Sequence, residues 1–291
     1  MYMNVRDAMK RLTREKQAQI VSALIEGCSI RATSRMFGVS KDTVLKLQVE
    51  AGYASADYQD KTFHDLKCKR VQCDEVWAFC YAKEKNVPAK MQGKFGVGDV
   101  WTWTAIDADT KLIPSFTVGN RDAATARILI EDLAGRLKSR IQLTTDGLKA
   151  YAIAVEDTFG SEIDYAMLIK TYAASQEETR YSPAVCTSCE QKPIMGRPDP
   201  KHISTSFIER SNLSVRMGVR RFTRLTNAFS KKVENHAAAF ALFLMHYNFC
   251  RVHQTLRVTP CMEAGVTNHI WSVKEMLEAI GLPCGSFEPS N

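Results

Sequence analysis

The segment KRVQCDEVWAFCYA, residues 69 to 82, sets an acid inside an apolar, strand-forming run. Its valine, aromatic and cysteine content is that of a buried strand, yet it carries Asp74. An isolated carboxylate on an apolar strand is costly to bury unless it is paired, protonated or bound to a cation. Asp146 poses the same problem at the end of a second expected strand, IQLTTD, at 141 to 146.

Between these acids, VWTWTAID and LIPSFTVG read as two further strands joined by the turn ADTK. DAATARILIEDLAGRLKSR reads as a helix capped by Asp122, with Ile128, Leu129, Leu133 and Leu137 on its apolar face. After 146, LKAYAIAVEDTFG resumes helix and DYAMLIKTYA closes the pattern as a strand. Three antiparallel strands, a helix, a parallel strand, a helix and a last strand define an α/β architecture. It is a mixed five-stranded sheet with flanking helices, in the order of the RNase H-like fold. In that order the first and fourth strands are neighbours, which sets Asp74 beside Asp146. Residues 173 to 204, with prolines at 183, 193, 198 and 200, are expected to form an irregular insertion. Helices follow around Glu209 and in KKVENHAAAFALFLMHYNFCRVH.

Ahead of the sheet, residues 14 to 52 repeat apolar residues at helical spacing. Gly27, Ser29, Gly38 and Ser40 fall where three short helices need stops and caps. This small all-α module, 1 to 52, reads as a helix-turn-helix whose third helix presents Lys41, Asp42, Thr43 and Lys46 to DNA. Residues 53 to 66 lose the periodicity and read as a linker. A catalytic domain is expected over 67 to 255, with a helical tail over 256 to 291.

Asp74 and Asp146 need a third acid to hold divalent ions, and Glu209, on the first helix after the insertion, is the natural candidate. Carboxylate oxygens suit Mg²⁺ or Mn²⁺. Two such ions about 4 Å apart serve phosphodiester cleavage without a covalent enzyme intermediate. From Arg210 to Lys232 the chain has seven basic residues (Arg210, Arg216, Arg220, Arg221, Arg224, Lys231 and Lys232) and no acid. Beside a metal site such a stripe would hold a phosphate backbone.

Asp74, Asp146 and Glu209, with IERSNLSVRMGVRRFTRLTNAFSKK and YNFCRVHQTLRVTP, resemble the DDE transposases of bacterial insertion sequences. The resemblance runs from about residue 67 to 270. It implies an enzyme that binds the terminal inverted repeats of its element, nicks the ends and joins the freed 3′-hydroxyls to target DNA. It also implies two Mg²⁺ ions held by the three acids. Its expected partners are element ends, target DNA and a second copy of the chain. A metal-dependent nuclease that never joins, and a DNA-binding regulator that no longer transposes, are the alternatives.

Other signals weigh less. Glu75 follows Asp74 and would point to the opposite strand face. Asp99, Asp107 and Asp109 fall in or near turns, where Asp serves local hydrogen bonding. Trp77, Trp101, Trp103 and Trp271 read as packing residues. The CxxC of Cys186 and Cys189, with His202 as a third ligand, is a weak zinc candidate because no second pair lies at matching spacing. No run of eighteen apolar residues and no signal peptide occurs, so a cytoplasmic, nucleoid-associated protein is expected.

Overall fold

In the computed structural model, which describes residues 11–172, 186–224 and 226–285, the N-terminal helices begin at hydroxyl caps. Thr13, Ser29 and Ser40 each accept a backbone N–H from the first turn of α1 (Arg14–Ile25), α2 (Ile30–Phe37) and α3 (Lys41–Thr62). Gly38 ends α2 in the left-handed region, at φ 64°. The caps expected at Ser29 and Ser40 and the stop expected at Gly38 are therefore all present. However, α3 does not stop near residue 52, and most of the stretch read as a linker is helical. Beyond Val44 and Leu47, the buried face of α3 consists of Gln48, Ala51, Gly52, Ser55 and Gln59. These are small or polar residues, so hydrophobic periodicity could not mark it. The face packs against α7 (Val233–Phe249). A Cβ on Gly52 would lie 2.1 Å from the Ala238 carbonyl oxygen, and buried Asn248 donates to Gln59 at 3.0 Å.

The sheet has six strands rather than five: β1 (Arg70–Cys80), β2 (Gly98–Asp107), β3 (Ser115–Gly119), β4 (Gln142–Thr145), β5 (Asp164–Tyr172) and β6 (Cys186–Met195), in the order β3-β2-β1-β4-β5-β6. β4 pairs in parallel with β1, as expected, and also in parallel with β5. The antiparallel edge strand β6 is the addition. It lies within the region read as an irregular insertion, whose residues 173 to 185 fall outside the described ones. Almost every side chain of β6 is exposed, so it carries no alternation to read, and an edge strand tolerates its Pro193.

α4 (Ala123–Arg136) precedes β4, and α5 (Lys149–Phe159) links β4 to β5. Asp122 caps α4 through the Thr125 N–H, as expected. Ile130 is buried on the core face of α4, together with Leu129 and Leu133, whereas Ile128 is exposed. Trp103 is fully buried, edge-on to Tyr151 at 5.2 Å, and its indole N–H donates to the Asn120 carbonyl at 3.0 Å.

The chain divides into two compact units, each assembled from separated stretches. One comprises His64–Val76 and Thr102–Ser211; the other comprises Met1–Phe63, Trp77–Trp101 and Asn212–Asn291. β1, β2 and α6 (Ser206–Gly218) each continue in sequence from one unit into the other. The second unit also holds α8 (Pro260–Glu263) and α9 (Val273–Ala279). Trp271, just before α9, packs on Phe249 at 4.5 Å, as its reading as a packing residue requires. Among the described residues no helix is long and apolar enough to cross a membrane.

Candidate metal centre

The ladder between β1 and β4 ends at the pair Cys73 and Thr145. Asp74 and Asp146 are the next residues on each chain, at the carboxyl end of β4, where open α/β sheets present their crevice. Asp146 is fixed by the Leu148 N–H, which donates to its Oδ1 at 3.0 Å. The Glu75 N–H donates to Asp74 Oδ1 at 2.8 Å. Both acids line a cleft of ≈ 520 Å³, together with Arg121, Lys170, Thr205 and Glu209.

Glu209 reaches the cleft because α6 starts beside β1. The buried Gln72 side chain accepts the N–H groups of Phe207 and Ile208, at 2.9 and 3.1 Å. These belong to the first turn of α6, whose free N–H groups need acceptors. The Glu209 carboxylate is ion-paired with Lys170 and accepts the Thr205 hydroxyl at 2.5 Å. It therefore shares the cleft with Asp74 and Asp146 without joining their tightest cluster.

That cluster is Asp74, Glu75 and Asp146, each offering an oxygen within 4.8 Å of the others. Glu75, expected on the opposite face of β1, comes into it because β4 stops at Thr145. Past that point no paired residue of β4 keeps the two faces apart on that side. The Glu75 side chain is only 1% exposed. Arg121 Nε donates to its Oε2 at 3.1 Å, and Arg121 Nη2 lies 3.5 Å from Asp146 Oδ2. Burial and the neighbouring Glu75 push the Asp74 carboxyl up to about 7, with Asp146 and Glu209 adding to the rise. Glu75 is likewise raised, by burial first and Asp146 second. Crowded, part-desolvated carboxylates of this kind disfavour their own ionisation and favour a hard divalent cation, so the donor set fits Mg²⁺ or Mn²⁺.

Sequence reasoning missed Gln72, Arg121 and Lys170 and set Glu75 aside. Lys170 left a trace, a lone charge in the apolar strand MLIKTY. Gln72 and Arg121 left none, because their roles depend on partners distant in sequence. Asp107, expected to serve its own turn, accepts the Thr110 N–H at 3.0 Å and the Thr110 hydroxyl at 2.6 Å. Asp109 pairs with Arg70.

The basic stretch from Arg210 to Lys232 does not form one stripe. α6 ends at Gly218, and a single 3₁₀ turn follows at Arg220–Phe222. Arg210, Arg224, Lys231 and Lys232 are exposed, and Arg220 is half-buried. Arg216 and Arg221 turn inward. Arg216 donates to the carbonyls of Phe222 and Trp77, at 3.3 and 3.4 Å. Arg221 donates to Ser230 Oγ at 2.8 Å and to Gln48 Oε1 at 2.7 Å. Burial lowers both guanidinium pKa values, that of Arg216 to about 10. At the start of α3, Lys41 and Lys46 are exposed, with Lys46 3.8 Å from Glu50, and Thr43 shares a hydrogen bond with Ser40.

Cys186 and Cys189 are exposed thiols on β6. Among the described residues they gather no third ligand. His202, expected as one, contacts Arg70 at 2.5 Å and lies 3.7 Å from Asp199.

No protein-family model and no curated protein matches the chain. Solved structures with similarity include a simian T-cell lymphotropic virus intasome in complex with PP2A regulatory subunit B56 gamma. It has a TM-score of 0.38 and 14% identity, covering 85% of this chain and 74% of that one. A piggyBac transposase synaptic complex with hairpin DNA has a TM-score of 0.39 and 8% identity, covering 96% and 72%. The Mos1 strand transfer complex has a TM-score of 0.27 and 13% identity, covering 80% and 77%. At these scores the likenesses decide nothing about the chemistry of this chain.

Proposed function

We propose that the chain is a DNA transposase of the DDE type that binds the terminal inverted repeats of its insertion element, cleaves the ends and transfers their 3′-hydroxyls into target DNA. The observation that carries this reading is the placement of Asp74 and Asp146 just past the paired ends of adjacent parallel strands, in a cleft shared with Glu209. Asp74, Asp146 and Glu209 would hold divalent ions, Mg²⁺ or Mn²⁺. Bound ions supply charge neutralisation at the phosphate and acidify the attacking hydroxyl.

In cleavage, water forms a bond to phosphorus and the bond from phosphorus to the 3′-oxygen breaks. In transfer, that freed 3′-oxygen forms a bond to a target phosphate, which releases its own 3′-oxygen. Neither step needs a nucleophile from the chain. Lys170 pairs with the Glu209 carboxylate and holds it in the cleft. Arg210, Arg220, Arg224, Lys231 and Lys232 would hold the DNA backbone, and α1 to α3, as a helix-turn-helix, would read the ends through Lys41, Thr43 and Lys46. The RNase H-like fold and a homodimer on paired ends belong to the same proposal.

The test is incubation of the full chain with a plasmid carrying the flanks of its gene, in Mg²⁺ or EDTA, with Glu209→Gln beside the wild type. Metal-dependent nicking at the flank boundaries with end joining, both lost in the variant, supports the transposase. Cleavage without joining indicates a nuclease, and binding without cleavage a regulator. Cleavage that survives Glu209→Gln removes Glu209 from the site.

A further inference from the structure

Glu75 is buried beside the cleft, against Asp74 and Asp146, and its environment suits an ion better than it suits a permanent salt bridge. Arg121 satisfies only one of its oxygens. Oε1 is buried with no well-formed hydrogen bond among the described residues, and only the buried Tyr151 hydroxyl approaches the carboxylate. A buried carboxylate oxygen left unpaired costs the full desolvation of that atom. A guanidinium built to neutralise Glu75 alone would lie in the plane of its carboxylate and bind both oxygens. Arg121 instead spreads across two acids, with Nε on Glu75 and Nη2 on Asp146. Its side chain is 41% exposed, and it precedes the α4 cap in the segment after β3, so it can swing outward without moving a strand.

We infer that Glu75 is a further ligand of the divalent-ion site and that Arg121 stands in for the ion when none is bound. The inference rests on the reading of the cleft as a metal site. Asp74, Glu75 and Asp146 offer hard oxygens within 4.8 Å of one another. Arg121 is ion-paired with Glu75 and Asp146 and lines the cleft, where an incoming cation would compete with it. Once displaced, its guanidinium would meet a DNA phosphate at the mouth of the cleft. The metal-free chain thus keeps its acids together, and ion binding exchanges one cation for another.

The experiment titrates the full chain, without DNA, with Mn²⁺. Binding is read by calorimetry and by the electron paramagnetic resonance signal of free Mn²⁺. Wild type, Glu75→Gln, Arg121→Gln and, as reference, Asp146→Asn are compared, with circular dichroism in EDTA checking the fold. Glu75→Gln is expected to weaken Mn²⁺ binding by about tenfold or more, and Arg121→Gln to tighten it about fivefold by removing the competing charge. If Asp146→Asn weakens binding while Glu75→Gln matches the wild type, the inference is overturned and the metal site stands. Unchanged affinity in Arg121→Gln overturns the exchange. Loss of fold in Glu75→Gln makes the residue a structural partner of Arg121, which also overturns the inference. No Mn²⁺ binding by the wild type, or none of its affinity lost in Asp146→Asn, removes the metal site and the inference together.

Discussion

Gln72 accepts the backbone N–H of Phe207 at 2.9 Å, and through that bond β1 holds the start of α6. Gln72 is two residues before Asp74 on β1, and Phe207 is two residues before Glu209 on α6. One buried amide therefore sets the spacing between two of the proposed ligands. Gln72→Leu leaves two helix N–H groups without an acceptor and is expected to cost about 1–3 kcal/mol. It should also lower metal-dependent nicking more than tenfold with all the acids intact. Urea unfolding and the plasmid assay check the two effects, and full activity in Gln72→Leu would show that α6 is placed by other contacts.

Asp74 makes the metal-free protein sensitive to rising pH. Its carboxyl is held at about 7, above its ordinary 3.8. The fold thus favours the protonated acid, and the stability this lends is present below about pH 4 and lost as pH rises through 7. Asp74→Asn should be more stable than wild type in EDTA at pH 8, with little difference at pH 4. Thermal unfolding at both pH values tests this, and parallel curves for the two proteins would mean that Asp74 ionises in the fold without penalty.

The other unit responds to pH in the opposite sense. Burial lowers His236 from 6.5 to about 3, with Arg221 adding to the shift, and burial lowers His246 to about 4. Both groups are neutral in the folded chain. Their contribution is complete above about pH 6.5 and declines as pH falls toward 3 to 4. His236→Phe keeps a ring beside Phe222, 4.3 Å away. It is expected to lose less stability than wild type between pH 7 and 5, measured by chemical denaturation, even if it starts lower.

The basic residues from 210 to 232 should separate into two kinds. Arg221→Ala breaks hydrogen bonds to Ser230 and Gln48 and is expected to cost about 1–3 kcal/mol of stability. A Lys231→Ala, Lys232→Ala double variant should unfold like the wild type yet bind DNA more weakly. Its salt-dependence slope should fall by roughly 2, the loss of two phosphate contacts. An unchanged slope would place both lysines off the DNA path.

Gly52→Ala tests the crossing of α3 and α7. The added methyl would meet the Ala238 carbonyl oxygen at 2.1 Å, so the helices must separate. A loss of about 1–3 kcal/mol in urea unfolding is expected, as for overpacked cores. A neutral result would mean that the helices part easily.

Elements with strong local signals were legible along the chain. Ser29, Gly38, Ser40 and Asp122 marked helix ends because capping is chemistry between near neighbours. The apolar runs around Asp74 and Asp146 marked β1 and β4, and the alternation of strand and helix made them adjacent parallel strands. Elements without a hydrophobic signature stayed hidden: the second half of α3 buries small and polar residues, and β6 buries almost nothing. Which side chains meet at and beside the cleft was set by packing between distant segments. That packing brought in Glu75 where β4 ends, set Arg121 against two acids, turned Glu209 to Lys170, and drew Arg216 and Arg221 inward. Local pattern fixes where a residue lies along its element. Electrostatic partnership depends on distances between groups far apart in the chain, and those exist only once the strands and helices have packed.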